Sequence, residues 1–150
     1  MDISTMDDIL DLALEREDAA YRLYLNAAKK ATNQSAKKIF DELAEQESGH
    51  KKLILRLDKQ KIAGYAFTQV PDLGISEYLV NIPYHDNMTY QEILVYAMKS
   101  EEKSYRFYME AEKMTDDPEL KKLLLMLANE EKKHKFRLET LYEDKVLTEM

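Results

Sequence analysis

The stretch Leu43-Ala44-Glu45-Gln46-Glu47-Ser48-Gly49-His50 returns 84 residues later as Leu127-Ala128-Asn129-Glu130-Glu131-Lys132-Lys133-His134. The residues kept are the Leu, the Ala, the second Glu and the His. Extended outward without a gap, residues 9–57 match residues 93–141 at 17 of 49 positions, among them Ile9/Ile93, Ala13/Ala97, Glu17/Glu101, Tyr21/Tyr105 and Tyr24/Tyr108. The chain is therefore read as one hairpin present twice. Two such copies pack about a pseudo-two-fold axis, which brings equivalent residues towards one another in the middle.

Each copy is helical by its punctuation. Ser4 or Thr5 can cap a first helix running to about Ala31, with Asp7 and Asp8 in its acidic first turn. Asn33 or Thr32 can cap a second helix to about Lys61. Thr89 and Glu92 form a capping box for a third, running to about Met114. Asp117-Pro118 starts a fourth, to about Glu143. Each helix is roughly 40 Å long at about 1.5 Å per residue. The connections within each pair are only a few residues, which makes each pair an antiparallel hairpin. Segment 62–88 holds two of the three Gly and two of the three Pro; Ile75 to Val80 in it suits a short helix. It is too long for a turn and predicts a crossover along the bundle. The expected fold is all-α: a ferritin-like antiparallel four-helix bundle with a long crossover between helices two and three. The 150 residues suit a single domain, with repeat 1 at about 5–61, the crossover at 62–88 and repeat 2 at about 89–145.

Composition removes the competing classes. Three Gly and three Pro are too few for a sandwich or barrel of tight turns. The absence of Cys excludes disulfides, zinc ribbons, thiolate catalysis and Cys-ligated clusters. The longest apolar run, Leu123 to Ala128, is far short of the roughly 18 residues of a membrane span. The acidic start MDISTMDDIL is not that of a signal peptide. A net charge of −7 disfavours nucleic acid and anionic membranes as partners. A cytoplasmic location is expected.

All four helices carry an apolar seam at alternating spacings of three and four, and in all four it is interrupted near its middle by Glu. These are Glu17, Glu47, Glu101 and Glu131. On the second and fourth helices His50 and His134 follow three residues later on the same face. Four carboxylates in a bundle core cost several kcal/mol each to desolvate and repel one another. Two divalent cations cancel that charge and leave both imidazoles neutral and free to ligate. One Glu from each of two helices plus Glu-x-x-His from each of the others is the donor set of a carboxylate-bridged dinuclear centre. Its oxygen and imidazole mixture suits two iron ions first, with manganese or a mixed pair as the alternative. Without metal, the carboxylates are expected to take up protons.

Glu17-x6-Tyr24, Glu47-x-x-His50, Glu101-x6-Tyr108 and Glu131-x-x-His134 resemble the helix motifs of the rubrerythrin branch of the ferritin-like superfamily. The resemblance implies bridging roles for Glu47 and Glu131, terminal roles for Glu17 and Glu101, and one metal each for His50 and His134. It implies reduction of hydrogen peroxide or dioxygen with oxidation of Fe(II), an external electron donor such as a rubredoxin-like protein, and a homodimer. An iron-handling ferroxidase without peroxide turnover, or a helical interaction module with a structural metal, are the alternatives. The sequence departs from the rubrerythrin pattern twice. It has no rubredoxin cysteines, and Ser104 stands where rubrerythrins carry a further Glu, with Ala20 as its repeat mate. Tyr24 and Tyr108 can bond a neighbouring carboxylate and assist catalysis, or simply pack. Tyr21 and Tyr105 read as packing, His85 as a solvated loop residue, and Glu130-Glu131-Lys132-Lys133 as a solvated face apart from Glu131.

Overall fold

A computed structural model of the chain describes residues 6–149, all of whose regular structure is helical. Helix α1 spans Met6–Lys30, α2 Gln34–Arg56, α3 Lys59–Ala63, α4 Tyr90–Lys113 and α5 Pro118–Glu149, with one 3-10 turn at Ile75–Tyr78. No described helix is long and apolar enough to cross a membrane. The four long helices form the expected bundle. α1 packs along α2 and α4 along α5, and the hairpins meet chiefly through α1 against α4.

The caps explain where the helices start. Asn33 Oδ1 accepts from the Ala36 amide at 2.8 Å. The capping box is complete: the Glu92 amide donates to Thr89 Oγ1 at 3.2 Å and the Thr89 amide to Glu92 Oε1 at 3.0 Å. Asp117 Oδ1 accepts from the amides of Glu119 and Leu120. The proposed Ser4 or Thr5 cap lies outside the described residues.

Helix two is shorter than the reading to about Lys61. It stops at Arg56, because Leu57 turns left-handed (φ 48°, ψ 55°) and Asp58 caps the separate short helix α3. That break lets Ile62 turn into the core, where it is buried. Helix four instead runs past Glu143 to Glu149. The 3-10 turn at Ile75–Tyr78 falls inside the segment read as a short helix.

The crossover is fastened mainly to α5. Asn129 makes a two-point clamp on Thr68, accepting from its amide at 3.2 Å and donating to its carbonyl at 2.9 Å. Lys135 pairs with Asp72 at 2.9 Å. Glu139, fully buried, accepts from the Leu73 amide at 3.4 Å and the Ile75 amide at 2.9 Å. At the far end Lys30 holds the carbonyls of Asp86 and Met88.

Two apolar clusters fill the bundle. One gathers Ile9, Ala13, Ile54, Leu120, Leu123, Leu124 and Leu127; the other gathers Ala27, Phe40, Leu43, Ile93, Leu94, Met98 and Leu138. The seam Glu and His residues fall between these stretches on every long helix.

Glu139 accepts from two backbone amides of the crossover, so Glu139→Ala should cost about 1–3 kcal/mol. Amide exchange at Leu73 and Ile75 should accelerate more than exchange in α1. Unchanged exchange at those two amides would show that the crossover does not depend on this carboxylate.

Candidate metal centre

Helical geometry delivers the six polar seam residues to one level of the bundle. Residues three apart lie one above the other, so each Glu-x-x-His presents both side chains to the same side. Glu17 comes from α1, Glu47 and His50 from α2, Glu101 from α4, Glu131 and His134 from α5. None is more than 6% exposed.

Their donor atoms form two overlapping groups. Glu17, Glu47, His50 and Glu131 make one; Glu47, Glu101, Glu131 and His134 make the other. Within each group one donor atom per residue lies within 4.8 Å of the rest. Glu47 and Glu131 belong to both, Glu17 and His50 only to the first, Glu101 and His134 only to the second. The two imidazole rings stack with centroids 5.8 Å apart.

Hydrogen bonds arrive from outside and leave the inward atoms bare. Tyr108 donates from α4 to Glu17 Oε1 on α1 at 2.8 Å, and Tyr24 donates from α1 to Glu101 Oε1 on α4. The two hairpins thus exchange tyrosines across the pseudo-two-fold axis. His50 Nε2 lies 3.4 Å from Glu130 Oε1, and His134 Nε2 lies 2.8 Å from Gln46 Oε1. A proton on each Nε2 satisfies these acceptors and turns the Nδ1 lone pair inward. Among the described residues, the buried side-chain atoms left without a hydrogen bond are Glu17 Oε2, both oxygens of Glu47, His50 Nδ1, Glu101 Oε2, Glu131 Oε1 and His134 Nδ1. Every one belongs to the six residues, and at least one comes from each.

Seven orphaned acceptors in one dry layer demand something positive. Protons are one answer. His134 Nδ1 is 2.7 Å from Glu47 Oε1 and His50 Nδ1 is 3.5 Å from Glu17 Oε2, close enough to pair when the imidazoles are doubly protonated. Burial disfavours that charge, but Glu130 and Glu47 outweigh it and raise His50 to about 9. Glu47 and Glu101 likewise raise His134 to about 9. Burial pushes Glu47 up, yet His134 and His50 hold its carboxyl below the usual range. Glu101 alone of these two carboxyls rises, because its burial is less fully offset by His134. The expectation that carboxylates take up protons holds for Glu101 and not for Glu47, and the imidazoles of His50 and His134, standing among acids, take up protons as well.

Divalent metal ions are the other answer, and the site fits them. The donors are hard oxygens and borderline imidazole nitrogens, four helices hold them, and two groups sharing two carboxylates suit two ions.

Tyr24 and Tyr108 also belong to this layer. Both are fully buried, and burial raises their hydroxyls well above the ordinary tyrosine range, so they stay protonated. Tyr21 and Tyr105 lie further out, under Lys51 and Lys132 respectively. His85 is apart from the site, 3.8 Å from Glu92. Ser104 is buried, with Arg16 donating to its hydroxyl at 3.5 Å, so no carboxylate occupies that position.

Glu130 is not part of a solvated face. It turns inward, accepting from Tyr65 at 2.7 Å, pairing with Lys133 at 2.9 Å and backing His50. Glu130 and Gln46 were missed because both sit beside the seam rather than in it. Their signal was the repeat itself, which pairs them immediately before the two Glu-x-x-His motifs.

The Rubrerythrin family profile matches residues 8–142 of the chain. The solved structure of a hypothetical protein from Pyrococcus furiosus is similar with a TM-score of 0.72 and 27% identity, covering 97% of this chain and 93% of that one. No curated protein matches significantly.

Groups whose pKa is raised by folding stabilise fully below their unfolded value and lose that contribution as pH climbs through the folded value. Metal-free protein should therefore lose thermal stability between about pH 6.5 and 9 as His50 and His134 discharge. Metal uptake near pH 7.5 should release protons from both imidazoles, read by calorimetry in buffers of different ionisation enthalpy. A melting temperature that rises across that window would contradict the assignment.

Proposed function

The chain belongs to the rubrerythrin family, and on that premise we propose that it is a non-haem diiron redox protein that reduces hydrogen peroxide or dioxygen. The observation that carries this reading is the set of seven orphaned donor atoms converging from four helices. Glu47 and Glu131, common to both donor groups, would bridge the ions. Glu17 and Glu101 would be terminal carboxylates, and His50 and His134 would each hold one ion through Nδ1. A bound iron pair supplies two electrons to an O–O bond when both ions start as Fe(II).

The chain's own residues set the conditions. Tyr24 and Tyr108 each occupy one oxygen of a terminal carboxylate, which turns the other oxygen, Oε2, towards the centre. Their hydroxyls also hold protons within a layer otherwise closed to water, and reduction of an O–O bond consumes protons along with electrons. The two apolar clusters exclude solvent on either side. These 150 residues hold no Cys, and the electrons are proposed to come from an external donor such as a rubredoxin-like protein. An iron-handling ferroxidase is the second reading. It is favoured by the neutral Ser104, held by Arg16, at the position where rubrerythrins carry a further Glu.

Metal analysis with optical spectra before and after peroxide tests the reading. Reduced protein should consume peroxide stoichiometrically and turn over when an electron donor is added; consumption without turnover would favour the ferroxidase. Glu47→Ala or Glu131→Ala should lose both ions, whereas Glu17→Ala or Glu101→Ala should keep part of the metal. Equal metal content in all four variants would contradict the bridging roles. Tyr24→Phe and Tyr108→Phe should retain metal and slow peroxide reduction by about 10-fold or more. Unchanged rates in both would reduce the tyrosines to packing.

A further inference from the structure

The internal repeat supplies its own control experiment. Around the centre, Glu17 pairs with Glu101, Glu47 with Glu131, His50 with His134 and Tyr24 with Tyr108, identical residues at equivalent positions. The hydrogen bonds follow the same symmetry, with each tyrosine reaching the opposite hairpin's Glu. One pair in contact with the donor set breaks it. Gln46 and Glu130 occupy equivalent positions, and each reaches across to the His of the other hairpin. His134 is therefore backed by a neutral amide and His50 by a carboxylate.

The carboxylate is held in place. Glu130 Oε2 accepts from Tyr65 at 2.7 Å and lies 2.9 Å from Lys133 Nζ, which leaves Oε1 directed at His50 Nε2. A carboxylate accepting the N–H opposite a ligating nitrogen makes that nitrogen more basic and a better donor to a cation. An amide oxygen does so less, because it carries no net charge. The Glu130 contact is the longer of the two at 3.4 Å, but a charge acts over such a distance in a buried layer where screening is weak.

We propose that the two positions of the centre bind divalent metal unequally, and that the one on His50 fills first because Glu130 acts through that imidazole. The inference rests on the metal reading above. It assigns Glu130 a positioning role that its Lys133 pair alone does not require.

Cobalt(II) added to metal-free protein tests it position by position. Each Co²⁺-bound His should give one exchangeable, hyperfine-shifted Nε2–H proton resonance. In the wild type the first equivalent should raise one resonance ahead of the other, and it should be the one that Glu130→Gln displaces. In Glu130→Gln the two resonances should grow together, and the tighter constant, measured against a chelator, should fall about 10–100-fold. Gln46→Glu should instead strengthen the weaker position and leave the tighter one in place. Parallel growth in the wild type would overturn the proposal, as would earlier growth of the resonance that Gln46→Glu displaces. Absence of any such histidine resonance would overturn the metal reading itself, a result distinct from either.

Discussion

Four carboxylates desolvated at one level of an apolar bundle are the constraint on which the rest of this structure depends. Each would cost several kcal/mol alone, and together they repel. The fold tolerates them because compensation is built from every direction. Two tyrosine hydroxyls take one oxygen each from Glu17 and Glu101, two imidazoles stand between the carboxylates, and the remaining donor atoms lie close together. Such a layer is stable only with positive charge inside it. Protons on His50 and His134 meet the need in one way and metal ions in another, so the two compete for the same atoms.

That competition depends on the helices being long and continuous on either side of the layer. Leu43 and Phe40 below Glu47, and Ile54 above His50, lie in different apolar clusters although they are on one helix. The polar layer is thus clamped between two dry regions rather than set at a bundle end. A break in α2 would let water reach the carboxylates. The break that does occur, at Leu57, falls beyond Ile54, where it redirects the chain into α3 without opening the layer.

Much of this was legible in the sequence because duplication writes the same physics twice. The spacing of Glu47 and His50 fixes a shared helical face, and its recurrence at Glu131 and His134 places the two hairpins in register. Thr89 with Glu92, and Asp117 before Pro118, are local signals that local geometry decides. What was not legible depended on contacts between distant segments. No pattern within residues 54–61 announces that Leu57 will adopt a left-handed conformation, which a β-branched residue or a leucine normally avoids. Glu139 looks like one more charge on a polar helix until the crossover lays two amides on it. Glu130 looked solvated for the same reason: its partner Tyr65 comes from 65 residues away.

The crossover also explains why a duplicated site cannot stay symmetric. A single chain joining two hairpins must run over one of them, and here it lies on α5. The equivalent ion pairs Lys51–Asp18 and Lys135–Glu102 show the consequence: at 2.6 and 3.2 Å both are formed, but only Lys135 also binds the crossover, at Asp72. Its side chain is 5% exposed, against 29% for Lys51. Glu139 is buried under the same segment, whereas Leu55, its repeat mate on α2, is left exposed to solvent. Glu130 follows the pattern. Tyr65 and Lys133 give it fixed partners under the crossover, and Gln46 on α2 is exposed. A carboxylate at position 130 is therefore held where it can act on His50, while an amide suffices on the uncovered side. The asymmetry of the centre is a consequence of connectivity: the segment that makes the bundle one chain also makes its two halves unequal.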